Sequence, residues 1–172
     1  MRGACCVLAF VLLVLVPLGS VLSGPSGTTA TPPDVRLKVG GEVSHPLELT
    51  AEAFAKLPRQ TVRAKGHDGK ESDYEGVPLV EVLQAAGVKF GSDLKGPALA
   101  NYLVVEASDN YRVVFALPEL DPASTDRVTL LADRRDGQPL DKTHGPLQVV
   151  GPGEKRHSRW VRQVVALKLG KA

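Results

Sequence analysis

Glycine and proline punctuate this chain and set the strongest limit on its fold. Its 172 residues include 17 Gly and 13 Pro, a turn density that argues against a helical bundle and for short strands joined by tight turns. Hydrophobic residues make up 43% and charged residues 23%, too ordinary a balance for a disordered chain. This length suits one globular domain with room for a tail. Lys and Arg number 21 against 19 Asp and Glu, for a formal charge of +2. Such a balance carries no electrostatic footprint for nucleic acid or an anionic membrane, so nucleic acid is not an expected partner.

The two cysteines, Cys5 and Cys6, follow the single charge of Arg2 and open the apolar run from Val7 to Val16. The run breaks at Pro17 and passes into small residues, with Val21 and Ser23 just ahead of Gly24. This is the layout of a secretory signal over residues 1–23, which places the protein in the periplasm or outside the cell. An uncleaved anchor is the alternative, but the unbroken run falls short of the ~20 residues a spanning helix needs. Removal of the signal takes both cysteines with it. The exported chain would then have no disulfide, cysteine nucleophile, iron–sulfur cluster, c-type haem attachment or cysteine-based zinc site, and neither an iron–sulfur cluster nor haem is an expected cofactor.

Residues 24–34 combine proline breaks with no apolar periodicity and read as a flexible linker. The domain is expected over 35–170. Val35 to Val39 alternates, Gly40-Gly41 turns, and a second extended segment ends at Leu49, which signals a hairpin. Thr50 is placed to cap a helix over Ala51–Leu57 that Pro58 stops. Gln60 to Lys65 is strand-like and His67-Asp68-Gly69-Lys70 is turn chemistry. Leu79, Val82, Leu83 and Ala86 share one helical face, with Gly87 placed to end that helix. The second half reads as strands over Tyr102–Ala107, Tyr111–Ala116, Val128–Ala132, Leu147–Val150 and Trp160–Leu169, with an Asp136-Gly137 turn between. The architecture expected is α+β, a curved mixed sheet or partial barrel with short helices.

There is no P-loop, no strand-coupled GxGxxG, no GxSxG elbow and no His-Glu-x-x-His. His45, His67, His144 and His157 share no metal-ligand spacing. Chemistry concentrates between His144 and Arg162. Gly151-Pro152-Gly153 makes a loop whose backbone can approach a ligand, followed by Lys155, Arg156, His157, Arg159 and Arg162. Guanidinium groups with exposed N–H groups suit an anion; the alternative is a solvated basic hairpin. Tyr74 and Tyr111 lie beside turns, where each caps a sheet edge or points its hydroxyl into a cleft.

Five motifs in order carry a resemblance. They are Pro46-Leu47-Glu48-Leu49-Thr50 with Leu57-Pro58, Tyr74-Glu75-Gly76-Val77-Pro78-Leu79, Ser108-Asp109-Asn110-Tyr111, Asp136 to Leu140 with Gly145-Pro146-Leu147, and Pro152-Gly153 before Ser158-Arg159-Trp160-Val161. In this the chain resembles the oxidoreductase molybdopterin-binding domain of the sulfite-oxidase type, over about Val35 to Leu169. The resemblance implies that family's fold, a molybdenum–pterin cofactor, and transfer of oxygen atoms or electrons at the metal. It also shows two departures. Catalytic members supply a cysteine thiolate to molybdenum at the end of the strand after the first helix, where this chain has Arg63-Ala64-Lys65-Gly66-His67. After Gly-Pro-Leu the family often carries Arg, and this chain carries Gln148, which removes a cation from the pterin phosphate site.

The residues expected to hold a pterin or anion are His144, Lys155, Arg156, Arg159, Tyr111 and His67; none is assigned to catalysis or to a metal. The leading reading is an exported, short member that is degenerate at molybdenum and keeps a pterin-binding, anion-binding or interaction role. Two alternatives stay open: an active periplasmic molybdopterin-dependent oxidoreductase with atypical metal ligation, and an envelope module that binds a small anion. A membrane redox protein is the expected macromolecular partner.

Overall fold

The computed structural model describes residues 34–172; the expected signal segment, and the expected linker up to residue 33, lie outside them. The ten strands described form two sheets. In the first, β1 (Val35–Gly41) and β2 (Leu47–Thr50) make the expected hairpin, and β10 (Val164–Gly170) lies parallel to β1. Antiparallel β5 (Tyr102–Ala107) and β6 (Arg112–Ala116) complete the order β2-β1-β10-β5-β6. The second sheet runs β3 (Gln60–Lys65), β4 (Glu71–Pro78), β7 (Leu130–Arg135) and β8 (Gln138–Pro139), with β9 (Gln148–Val150) also on β7. All its pairings are antiparallel. Neither sheet closes into a barrel.

The two helices are short and set by local chemistry. Helix α1 (Ala51–Ala55) starts where the Thr50 hydroxyl accepts the Ala53 N–H at 3.2 Å, which satisfies one of the unpaired first-turn donors. Helix α2 (Leu79–Ala85) buries Leu79, Val82 and Leu83, and Ala86 just beyond it, completely. It ends in a Schellman arrangement: Gly87 N–H donates to Gln84 O at 2.8 Å and Val88 N–H to Leu83 O at 3.0 Å. Gly87 has φ +84° there, a conformation that costs a side-chain-bearing residue.

Strand β4 escaped the sequence reading because its inward positions include Ser72 and Gly76, which hide the alternation. Two other strands differ in extent. Strand β7 starts later than expected and runs on to the Asp136-Gly137 turn, whose φ values of 51° and 76° suit a tight hairpin. Strand β10 begins only at Val164, because Val161 N–H turns back to Arg159 O and Gln163 adopts φ 49°.

The main core lies between the helices and the inner faces of both sheets, with Leu37, Leu103 and Leu167 from the first sheet and Val77, Leu131 and Val149 from the second. Side chains alternate along a strand, so Leu130, Ala132 and Val150 face the other way. There they meet Ala64, Tyr74 and Trp160 in a second apolar cluster. Trp160 is 6% exposed and its indole N–H donates to Gly151 O at 3.1 Å, which ties the 151–160 loop across the back of the second sheet.

Gly76, in the Tyr-Glu-Gly-Val-Pro-Leu motif, sits at a register shift where β7 crosses it closely, and a Cβ there would run into Leu131 O and lie 2.5 Å from Ala132 Cα. At Gly40 a Cβ would meet nothing within 4 Å. Gly76→Ala is expected to destabilise the domain by about 3 kcal/mol or more, the upper range for overpacking a rigid backbone. Gly40→Ala should stay within about 0.5 kcal/mol. Urea denaturation of the two variants measures the contrast.

Candidate functional site

The loop after β9 is fastened to both sheets. Within it a short 3-10 turn spans His157–Arg159. His157 Nε2–H donates to Lys65 O at 2.8 Å, at the end of β3. From the turn between β5 and β6, the Tyr111 hydroxyl donates to Ser158 O at 2.7 Å. The Asp109 carboxylate holds this turn by accepting the Tyr111 N–H at 2.9 Å. These ties frame an open cleft of about 430 Å³ lined by His67, Tyr111, His157, Ser158, Trp160 and Arg162, among others. His157 meets Trp160 edge-to-face at 4.5 Å between ring centres, and His67 meets His157 in the same way at 5.5 Å. The cleft thus has a rim of rings, the Arg162 guanidinium and the Asp109 carboxylate, which is turned to the Tyr111 N–H, so the guanidinium is the charged group left to meet a small planar anion.

The expected binding residues do not converge on one place. His67 and Tyr111 line this cleft together, joined by His157 and Arg162 of the basic stretch. Lys155 and Arg156 are exposed on the loop. Arg159 faces a different groove with Phe115, Ser124 and Thr129. Its guanidinium lies 4.3 Å from the centre of the Phe115 ring, 2.7 Å from Glu119 and 3.5 Å from Glu154, so its charge is already matched, while its buried Nε has no partner. His144 lines a third pocket of about 300 Å³ with Tyr74, Arg135, Asp141 and Gln148.

Arg135 is the residue that sequence reasoning missed, visible only as the flank of an Asp-Gly turn. Its Nε donates to Ser72 Oγ at 2.8 Å and its Nη2 to Asp68 at 2.9 and 3.1 Å, and the guanidinium lies 5.5 Å from the centre of the Tyr74 ring. Hydrogen bonds from Lys70 N–H and from Arg135 hold the Asp68 carboxyl below the usual aspartate range. At Asp141 the His144 ring does the same, helped by the His144 and Thr143 N–H groups. Burial pushes the Tyr74 phenol up, so it stays protonated.

A molybdenum–pterin group, which the resemblance implies, can be tested against this donor set. Along the stretch that carries the thiolate in catalytic members, Arg63 pairs with Glu71 and Asp73, Ala64 packs in the Trp160 cluster, and Lys65 is exposed. Beside Gly66 the space is filled: a Cβ there would lie 2.8 Å from the Tyr74 hydroxyl, 2.9 Å from Asp68 and 3.2 Å from Arg135. Among the described residues no three His, Cys, Asp or Glu side chains are grouped to hold a metal. The residues present do not fit a thiolate-ligated molybdenum, which needs a soft sulfur donor.

The lowered carboxyls give a pH signature. A carboxyl whose folded value lies below its unfolded value of about 4 adds stability above that value and loses it as pH falls through the folded one. The midpoint of urea unfolding should therefore fall as pH drops below about 4. Asp68→Asn should flatten that fall, with Asp141→Asn acting separately, as a pH series of unfolding curves would record.

Comparison with known proteins agrees with the motif order. The oxidoreductase molybdopterin binding domain matches residues 66–171. Among solved structures, the sulfane dehydrogenase SoxCD from Paracoccus pantotrophus is similar with a TM-score of 0.62 and 27% identity, over 79% of this chain and 38% of that one. This chain therefore spans well under half the length of that relative. None of the curated proteins matches. With the family match covering more than half of the residues, and the two-sheet α+β architecture shared with a sulfite-oxidase-type structure, the chain belongs to the oxidoreductase molybdopterin binding domain family.

Proposed function

We propose that this protein is an exported member of its family that binds a small planar anion in the His67–Tyr111–Arg162 cleft and has given up thiolate-ligated molybdenum. The observation that carries this reading is the end of β3. The side chains around Gly66 form a closed Asp68–Arg135–Tyr74 cluster, while the adjoining cleft keeps a guanidinium, two imidazoles and an indole. Arg162 supplies the charge, His67 supplies a ring N–H, and Trp160 with the ring of His157, whose own N–H is held by Lys65 O, supplies a flat wall. The apolar run from Val7 to Val16 supports export, and no step through a metal is assigned.

Two measurements test this. Protein purified from a host that makes the cofactor is expected to carry molybdenum far below one atom per chain. Near-stoichiometric molybdenum and pterin would instead establish atypical ligation. Trp160 is the only tryptophan, so its emission reports on the cleft. Titration with phenyl phosphate at low salt should change that emission saturably. Arg162→Ala should weaken binding by about tenfold or more, the loss expected for a charge-assisted hydrogen bond. An emission that does not respond to phenyl phosphate removes the anion site.

A further inference from the structure

One strand edge of this fold is left open where the others are guarded. Strand β6 ends the first sheet and pairs with β5 in an unbroken register. On either side of it, Ala107 N–H donates to Tyr111 O and Leu117 N–H to Asn101 O, each at 2.9 Å. Antiparallel pairs alternate between bonded and non-bonded positions, so Val113 and Phe115 also bond toward β5. The N–H and C=O groups of Arg112, Val114 and Ala116 therefore point outward, where no further strand follows among the described residues. Val114 is 56% exposed, the most exposed large apolar side chain among them.

The other edges carry the devices that keep strands from pairing by accident. Strand β2 has four residues, follows Pro46 and ends at the Thr50 cap. Strand β3 carries Arg63 and Lys65, and Lys65 O already accepts from His157. Strand β8 has two residues, one of them Pro139. Strand β9 has three, and on the side away from β7 Val149 N–H donates to Val161 O at 2.8 Å. Strand β6 has no proline, glycine, lysine or bulge. Its one charge, Arg112, is held by Glu106 at 2.8 Å, so it guards the edge weakly and brings no unpaired cation into a contact.

We infer that β6 is the contact through which two copies of this chain pair, antiparallel about a two-fold axis at Val114. In that register Val114 faces its own counterpart and Arg112 faces Ala116 of the second copy. All three outward residues then bond at once, in about six backbone hydrogen bonds. Centring on Arg112 would set two guanidiniums opposite each other. Centring on Ala116 would bring in Pro118, which has no N–H. The register at Val114 avoids both and uses the whole strand, which makes this edge its own complement. Val104 lies beside Val114 on the outer face, so pairing carries one apolar row on into the same row of the second copy. A formal charge of +2 leaves little repulsion between copies. An isologous contact closes on itself, so assembly stops at two, and its small area makes the dimer weak and concentration-dependent. This surface is separate from the Arg162 cleft and does not rest on the anion reading.

Sedimentation of the purified protein from micromolar to millimolar concentration should show a monomer passing into a dimer and no larger species. Amide hydrogen exchange, followed by NMR at both ends of that range, should slow about fivefold or more at Val114 and Ala116 as the dimer fills, and stay unchanged along β3. Val114→Lys, at an exposed position, should weaken the dimer about tenfold or more with the urea midpoint kept, which shows the fold intact. Val114→Thr, which keeps the branched shape, should hold the dimer within about threefold. A protein that stays monomeric throughout, a dimer that Val114→Lys leaves intact, or a series that grows past two overturns the proposal. So does protection that rises along β3 instead of β6.

Discussion

Packing of one indole organises the functional end of this molecule. The second sheet shows an apolar surface on both faces, and the main core covers only one of them. Trp160 covers the other, so the loop that brings it there must cross the back of the sheet. Burying a side chain of that size is worth several kcal/mol, on the order of 3–5 by the cost of truncating it. No other contact of the loop approaches that. The hydrogen bonds from His157 to Lys65 O and from Tyr111 to Ser158 O add about 1 kcal/mol each at most and set the loop's orientation rather than its presence.

That division explains which parts of the molecule could be read in advance. The Thr50 cap, the Leu79–Ala86 face and the Gly87 stop depend on neighbours within a turn or two, and the residues that decide them stand side by side in the chain. Strand β4 depends on what lies across it. Ser72 is buried because Arg135, 63 positions away, donates to its hydroxyl, and no local pattern reports that. The basic stretch had the same ambiguity in stronger form. Its cations look alike in sequence, yet Arg159 finds Glu119, 40 positions away, and Glu154, while Arg162 faces a cleft. Proximity along the loop said that an anion would be met there. Only the fold decides which guanidinium is left to meet it.

The two clefts are divided by the same residues that separate their chemistry. Tyr74 packs edge-to-face on Trp160 at 5.6 Å between ring centres, so one ring belongs to the wall of the His144 pocket and the other to the wall of the His67 cleft. On the Trp160 side the fixed charges are Arg162 and Asp109, and Asp109 is turned to its own loop N–H. On the Tyr74 side the carboxylates dominate. A single aromatic pair thus stands between the cleft that holds Arg162 and the pocket that holds Arg135, Asp136 and Asp141.

The closed cluster at the end of β3 also bears on how the missing thiolate and the rest of the pocket are linked. Any side chain added at Gly66 would meet Tyr74, Asp68 and Arg135 within 3.2 Å. Two of those three are an ion pair, and moving either partner alone would leave the other's charge without its match. Arg135 further holds the buried Ser72 hydroxyl. A side chain at Gly66 would therefore have to displace the ends of the Asp68 and Arg135 side chains and so disturb their pair. Gln148 lies on the same pocket, where a cation would be drawn toward carboxylates that Arg135 and His144 already engage. Arg135 is thus the residue the two places share: it pairs with Asp68 beside Gly66 and lines the pocket of the neutral Gln148.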